Sequence, residues 1–320
     1  MSLVLAISVG DPAGIGPEVT VRALEAELGR DAALVFGDAR ALEPAFRAAG
    51  IALAAAPTPG AVTVVDQGRV PEAAVAARAP TAEGGRFQHA ALLEAAHAVM
   101  EGRAHVLVTG PVSKAAVELS GVPFTGQTEA LAELAGLAHD EVTMMFLGPR
   151  LNVALVTTHL SVIEAAKAVT AERVARATLH LAEALGRLHE GEIEIAITGV
   201  NPHAGEGGLF GREEIDAVRP GVERARPGTK AKLVGPMPAE AAFRAANEGR
   251  VHGVVAMLHD QATIASKLLD WGDAVNVTWG LPFVRASVDH GVAYDIAGQG
   301  VADAAGMRAA IRLAKKLGAP

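Results

Sequence analysis

The stretch NVALVTTHLSVIEAAKAVTAERVARATLHLAEALGRLHEGEIEIAITGVNPH, from Asn152 to His203, contains a complete strand, helix and strand in succession. Asn152–Thr157 and Glu194–Val200 are short apolar runs without polar alternation, the pattern of strands buried on both faces. Between them, Thr170–Leu188 places Val174, Leu181, Leu185 and Leu188 on one stripe and Arg173, Arg176 and Glu183 elsewhere, which is helical periodicity. The same reading extends outward to Leu3–Val9, Ala33–Phe36, Val62–Val65, Val106–Val108, Thr143–Leu147, Lys232–Val234, Gly253–Leu258 and Ala274–Trp279, each expected as a doubly buried strand. Strands alternating with helices predict an α/β chain with mostly parallel sheets and right-handed crossovers. At 320 residues the chain exceeds the size at which one hydrophobic core keeps growing, so two subdomains are expected. Breaks at Ser120–Thr125 and Gly280–Pro282 are the candidate hinges.

Composition narrows the function. Lys and Arg number 28 against 36 Asp and Glu, a net charge of −8, and no basic run offers a footprint for nucleic acid. The chain has 0 Cys, which removes disulfides, thiolate nucleophiles and Cys-type metal sites and leaves His and carboxylates as possible ligands. The uncharged stretch Ala48–Val65 is interrupted by Gly50, Pro57, Pro59 and Gly60, so no membrane span is expected. Met1–Gly10 lacks the basic flank of a signal peptide, and a cytoplasmic location is expected.

In open α/β sheets ligands sit outside the carboxyl ends of the strands. Three histidines emerge there: His159 after Asn152–Thr157, His203 after Glu194–Val200 and His259 after Gly253–Leu258. Three imidazoles on one rim can converge on a divalent ion, with Asp260 fixing a tautomer; they can equally hydrogen-bond loop backbone. The other histidines, His180 among them, are expected at the surface. The loop Ser8-Val-Gly-Asp-Pro-Ala-Gly-Ile-Gly-Pro-Glu18 follows the first strand, yet its glycine spacing matches neither dinucleotide nor P-loop fingerprints. Thr109-Gly-Pro-Val-Ser-Lys114 opens another helix and is either an anion site or a plain turn with a solvated lysine. Arg285 can clamp a phosphate or carboxylate, or form a structural ion pair.

Taken together, GDPAGIGPE from Gly10, TGPVSK from Thr109, GQTE from Gly126, TTHL ending at Leu160, NPHAGEGG from Asn201, GPMPAE from Gly235, HDQ from His259, NVTWGLPFVR from Asn276 and SVDHG from Ser287 resemble the 4-hydroxythreonine-4-phosphate dehydrogenase family of pyridoxine biosynthesis, over nearly the whole chain. The resemblance implies an isocitrate/isopropylmalate-dehydrogenase-like fold, with two α/β subdomains, mostly parallel sheets and a cleft between them. On that expectation, residues 1–123 plus 280–320 form the cofactor side, and 124–279 form the side of metal, substrate and dimer interface. The resemblance further implies an NAD-dependent (or NADP-dependent) oxidative decarboxylase of the EC 1.1.1 type. It would convert 4-phosphohydroxy-L-threonine into a β-keto acid that decarboxylates to 3-amino-2-oxopropyl phosphate. A divalent metal (Zn, Co, Mn or Mg) is implied on His159, His203 and His259, with His259 supplied across a homodimer whose subunits share the active site. Substrate contacts fall on Gln127, Thr128, Lys267, Asn276 and Arg285, catalytic roles on Lys267 and Glu240, and cofactor binding on Asp289, His290 and Gly291.

Four positions depart from the family pattern. Gln127 stands where His is usual and cannot titrate, Glu240 replaces Asp, Ala262–Ala265 replaces Gly-Leu-Pro-Val, and Ser113 occupies a common His position. Phosphorylated threonate or erythronate and related hydroxy acids or diols therefore stand as alternative substrates. Phosphate acyltransfer and non-catalytic metabolite binding stand as alternatives of another class.

Overall fold

The computed structural model describes residues 2–319. Its strands are β1 Val4–Ser8, β2 Ala32–Gly37, β3 Ala52–Leu53, β4 Ala61–Asp66, β5 Val106–Thr109, β6 Thr143–Leu147, β7 Asn152–Leu155, β8 Glu194–Thr198, β9 Lys232–Met237, β10 Gly253–Ala256, β11 Val275–Trp279 and β12 Val284–Ser287. The chain divides into two compact units, one holding the described residues up to His139 together with those from Leu281 onward, the other Asp140–Gly280. The expected boundary at 123/124 is corrected to 139/140. The helix Gln127–Leu134 belongs to the first unit because the Gln127 amide donates to Gly110 O at 3.2 Å and accepts from Arg285 at 3.2 Å.

In the first unit six parallel strands run in the order β3-β4-β2-β1-β5-β12. The helices Gly16–Glu27 and Ala305–Gly318 pack on each other, and Ala82–Met100 packs on β1, β2 and β5. β1, β2 and β5 are buried on both faces, as their apolar runs predict. β4 is not: its residues from Thr63 onward are half-buried or exposed, because the two-residue β3 covers only its beginning. β12 escapes sequence reading, since Val-Arg-Ala-Ser is four residues long with a cation inside it.

In the second unit the order is β11-β6-β7-β10-β8-β9, with β6 antiparallel to both neighbours and the other pairings parallel. β9 lies at one edge and is mostly half-buried, again departing from the doubly buried expectation. The predicted helix runs Ala171–Leu188 behind the N-cap Thr170, whose hydroxyl accepts from Arg173 N at 3.3 Å. Val174, Leu181 and Leu185 are fully buried, and Gly253 in β10 leaves room for Leu181 and Leu185 above it. On the other face Phe146, Leu151, Val153, Leu155, Val254 and Ala256 meet Ala242, Ala245 and Ala262 of the next helices. Among the described residues no helix is long and apolar enough to cross a membrane.

His180, expected at the surface, is instead half-buried in this unit, with Nδ1 2.8 Å from Thr143 Oγ1. Burial pushes its imidazole below the ordinary histidine range, the Arg176 charge adds to this, and Glu183 opposes it. With a lowered folded pKa, the unfolded chain binds the extra proton first, so stability is flat above about pH 6.5 and declines below it. Urea midpoints measured from pH 5 to 8 are expected to fall less steeply for His180→Asn than for wild type, although His89 and His189, also held low by burial, keep part of the slope. Identical slopes would remove His180 as a source.

Candidate active site

The sheet order makes β7, β10 and β8 neighbours, so the chain after each of them leaves from one rim. The three ends are tied together. Thr157 Oγ1 donates to Met257 O at 2.7 Å, joining the end of β7 to that of β10. Gln261 joins β10 to β8: its Oε1 accepts from Met257 N, Leu258 N and Thr198 Oγ1 at 3.1, 3.1 and 3.2 Å, and its Nε2 donates to Gly199 O at 3.0 Å. Gln261 was quoted in the HDQ motif without a role. Its signal is its place at the third position of the helix His259–Leu269, where a Gln side chain returns to the helix start.

His159 and His259 come together in one chain, ring centroids 5.4 Å apart and inclined by 48°. Asp260 Oδ1 lies 2.8 Å from His259 Nδ1, as anticipated for a carboxylate that orients an imidazole and leaves Nε2 for a ligand. His203 leaves β8 on the same rim and stacks obliquely near Phe210 at 6.3 Å. Among the described residues no three His, Asp or Glu side chains gather as one cation site. Imidazoles are donors that a divalent ion accepts, and two of the three, His159 and His259, are adjacent within one chain.

Backbone strain concentrates here. Among the described residues six non-glycines have positive φ, and four of them, His159, His203, Ala204 and Glu206, lie at these strand ends. Each costs about 1–2 kcal/mol in the left-handed region, a cost kept only where the surroundings enforce it and often where function uses it.

In the first unit Arg285 is 2% exposed. Its Nη2 donates to Thr109 Oγ1 at 2.9 Å and Gln127 Oε1 at 3.2 Å, and Nε donates to Thr109 Oγ1 at 3.2 Å. Burial lowers its pKa to about 10, while the Glu129 charge pulls the other way, so the guanidinium stays charged at neutral pH. Thr109 was quoted in a motif but not recognised as a partner, since 176 residues separate it from Arg285. Thr128 is half-buried on the same helix as Gln127. Lys114 is exposed, and the Ser113 N–H is given to Gln88 Oε1 at 2.7 Å.

The GDPAGIGPE loop serves the last loop of the chain. Asp11, 1% exposed, accepts from Ala13 N, Gln88 Nε2 and the Tyr294 hydroxyl at 2.9, 3.1 and 2.7 Å. Ile15 N donates to Val292 O at 2.9 Å, and a Cβ on Gly14 would stand 2.6 Å from that oxygen, which explains its glycine without any nucleotide. These bonds anchor the chain just after Asp289–Gly291, and His290 Nε2 is buried without a hydrogen-bond partner among the described residues. Asn276 Oδ1, on β11, is likewise buried and unpartnered among the described residues. Both are unsatisfied groups of the kind that a bound molecule completes. Lys267 is exposed, its Nζ 6.0 Å from the Trp271 ring centroid, and Glu240 is exposed in the first turn of the helix Ala239–Asn247.

The profile of the pyridoxal phosphate biosynthetic protein PdxA matches residues 30–314. A 4-hydroxythreonine-4-phosphate dehydrogenase from Geobacter metallireducens is 39% identical over 98% of this chain and 95% of its own. A protein provisionally named D-threonate 4-phosphate dehydrogenase, from Halalkalibacterium halodurans, is 37% identical over 98% and 96%. The crystal structure of the 4-hydroxythreonine-4-phosphate dehydrogenase from Klebsiella pneumoniae superposes with a TM-score of 0.82 at 34% identity, covering 99% of this chain and 100% of that one.

Proposed function

The chain belongs to the PdxA family of pyridoxal phosphate biosynthetic proteins and is a dehydrogenase, and from that premise we propose that it oxidises 4-phosphohydroxy-L-threonine with NAD, or NADP, as acceptor. Its α/β fold is the isocitrate-dehydrogenase-like fold of that family. The observation that carries the reading is the rim of three histidines at the ends of adjacent strands.

A nicotinamide dinucleotide, when bound, takes the hydride from the alcohol carbon, and a divalent ion (Zn, Co, Mn or Mg), when bound, draws electron density from the alcohol oxygen. His159, His203 and His259 would hold that ion. Asp289, His290 and Gly291 would hold the dinucleotide, the buried His290 Nε2 offering it a polar partner. Arg285, with Gln127 and Thr109 fixing the plane of its guanidinium, would bind the phosphate together with Thr128, supplying orientation remote from the reacting carbon. The hydroxyl proton needs an acceptor in this chain. Lys267 takes that role in preference to Glu240 because it shares the helix His259–Leu269 with a proposed ligand. The β-keto acid then loses CO2, leaving 3-amino-2-oxopropyl phosphate.

The site would be completed by a second copy of the chain, in the cytoplasm. Exposed apolar side chains follow each histidine: Leu160, Val162 and Ile163 after His159, Leu209 and Phe210 after His203, and Ile264, Leu268 and Trp271 after His259. Such a concentration beside polar chemistry fits a surface covered by another subunit. Absorbance of reduced cofactor near ~340 nm tests the reading, with metal-loaded protein given 4-phosphohydroxy-L-threonine or, separately, 4-phosphorylated threonate and erythronate. Turnover on the amino acid is expected. Turnover confined to a sugar acid would favour the second reading, which the 37% identical relative's name supports, and no reduced cofactor with any of them would overturn both.

A further inference from the structure

The loop that carries His203 is built as a left-handed helical turn. His203, Ala204, Gly205, Glu206 and Gly207 have φ of 53, 51, 73, 41 and 71° in succession, and three of the five are not glycine. The turn spans Pro202–Gly208 with 3-10 type bonding, and its ends are closed by Ala204 N donating to Asn201 O at 3.1 Å, Leu209 N to Glu206 O at 3.4 Å and Phe210 N to Gly205 O at 3.1 Å. Something outside the turn must hold it, because L-residues leave this conformation readily.

The brace comes from the single π-helical turn Glu214–Val218. Glu214 is 2% exposed and its two oxygens accept from one residue, Asn201: Oε1 from the backbone N–H at 2.7 Å and Oε2 from the side-chain amide at 3.0 Å. Glu213 Oε2 accepts from the same amide at 2.6 Å, and this hydrogen bond is the chief cause that holds the Glu213 carboxyl below its usual range. The backbone is cut away to admit these groups. A Cβ on Gly205 would lie 2.4 Å from Glu214 Oε2, one on Gly199 2.9 Å from Glu214 Oε1, and one on Gly211 2.5 Å from both Asn201 Nδ2 and Glu213 Oε2. The three glycines thus leave room for the carboxylates that meet Asn201, and Gly199 also for Ala204 Cα, 2.7 Å from where its Cβ would stand.

We propose that Glu214 is a positioning residue for His203: through Asn201 it fixes the start of the left-handed turn and so aims the imidazole. This rests on the reading of His203 as a metal ligand. Outer residues that orient ligands typically govern metal affinity by about 10–100-fold.

The test is cobalt(II) affinity, measured calorimetrically and by the visible absorption of the bound ion, for wild type, Glu214→Ala, Glu214→Gln, His203→Ala and the double variant Glu214→Ala/His203→Ala. Glu214→Ala is expected to weaken binding by about 10–100-fold. Glu214→Gln, isosteric and keeping one acceptor, is expected to lose less and supplies the measurement if the alanine variant does not fold. In the His203→Ala background the Glu214→Ala change is expected to cost nothing further, because its effect passes through the missing ring. An equal loss in both backgrounds, or unchanged affinity in Glu214→Ala and Glu214→Gln while His203→Ala is weak, would overturn the positioning role alone. Unchanged affinity in His203→Ala would overturn the ligand assignment and the positioning role with it.

Discussion

A mixture of two inactive variants, His203→Ala and His259→Ala, unfolded and refolded together, is expected to recover about a quarter of wild-type activity. Each variant alone should lose activity by on the order of a thousandfold or more, because a proposed site of three imidazoles retains only two. If His259 is supplied by the partner subunit, a mixed dimer contains one site with both substitutions and one with neither. Random reassembly makes half the dimers mixed, and half of their sites are intact, which gives the quarter. If one chain supplies all three ligands, every site in the mixture carries a substitution and activity stays at the level of the single variants. The structure gives that second arrangement a concrete basis, since His159 and His259 lie 5.4 Å apart within one chain. The two outcomes differ by about two orders of magnitude or more, and either one assigns the origin of His259.

Replacing Arg285 with Met is expected to lower kcat/KM for the phosphorylated substrate by about a thousandfold, equivalent to roughly 4 kcal/mol. The guanidinium is almost wholly buried, charged at neutral pH, and fixed in plane by Thr109 and Gln127. Methionine fills similar space without charge or donors. It also leaves Gln127 Oε1 without its donor, at a cost of about 1–3 kcal/mol, so the melting temperature should fall as well. Arg285→Lys separates the two effects. An ammonium keeps the charge but cannot reproduce the forked donors, so activity between wild type and Arg285→Met is expected with most of the loss in KM. A kcat/KM within threefold of wild type for Arg285→Met, alongside a lowered melting temperature, would mark Arg285 as a structural cation only.

The neutral amide at 127 can be understood in the same terms. Its Nε2 donates to Gly110 O and its Oε1 accepts from Arg285, so Gln127 orients the guanidinium. Sequence reading identified the departure from histidine at that position. The consequence became visible only when residues 158 apart met.

What the sequence determined by itself was local. Apolar runs gave ten of the twelve strands among the described residues, the stripe of Val174, Leu181 and Leu185 gave a helix and its buried face, and three histidines were placed after three strands. These follow from periodicity, which depends on near neighbours in the chain. It failed where local signals were weak, at the two-residue β3 and at β12 with its internal arginine, and it drew the boundary before the helix Gln127–Leu134 rather than after it. Tertiary structure alone decided that β7, β10 and β8 are neighbours, and so that the three histidines share a rim. It alone decided that a cation could be buried at 285, because burial is tolerated only where partners distant in sequence supply hydrogen bonds. The left-handed turn at His203 belongs to the same class: its backbone is unfavourable by local preference, and a buried carboxylate eleven residues further on, seated among glycines, holds it there.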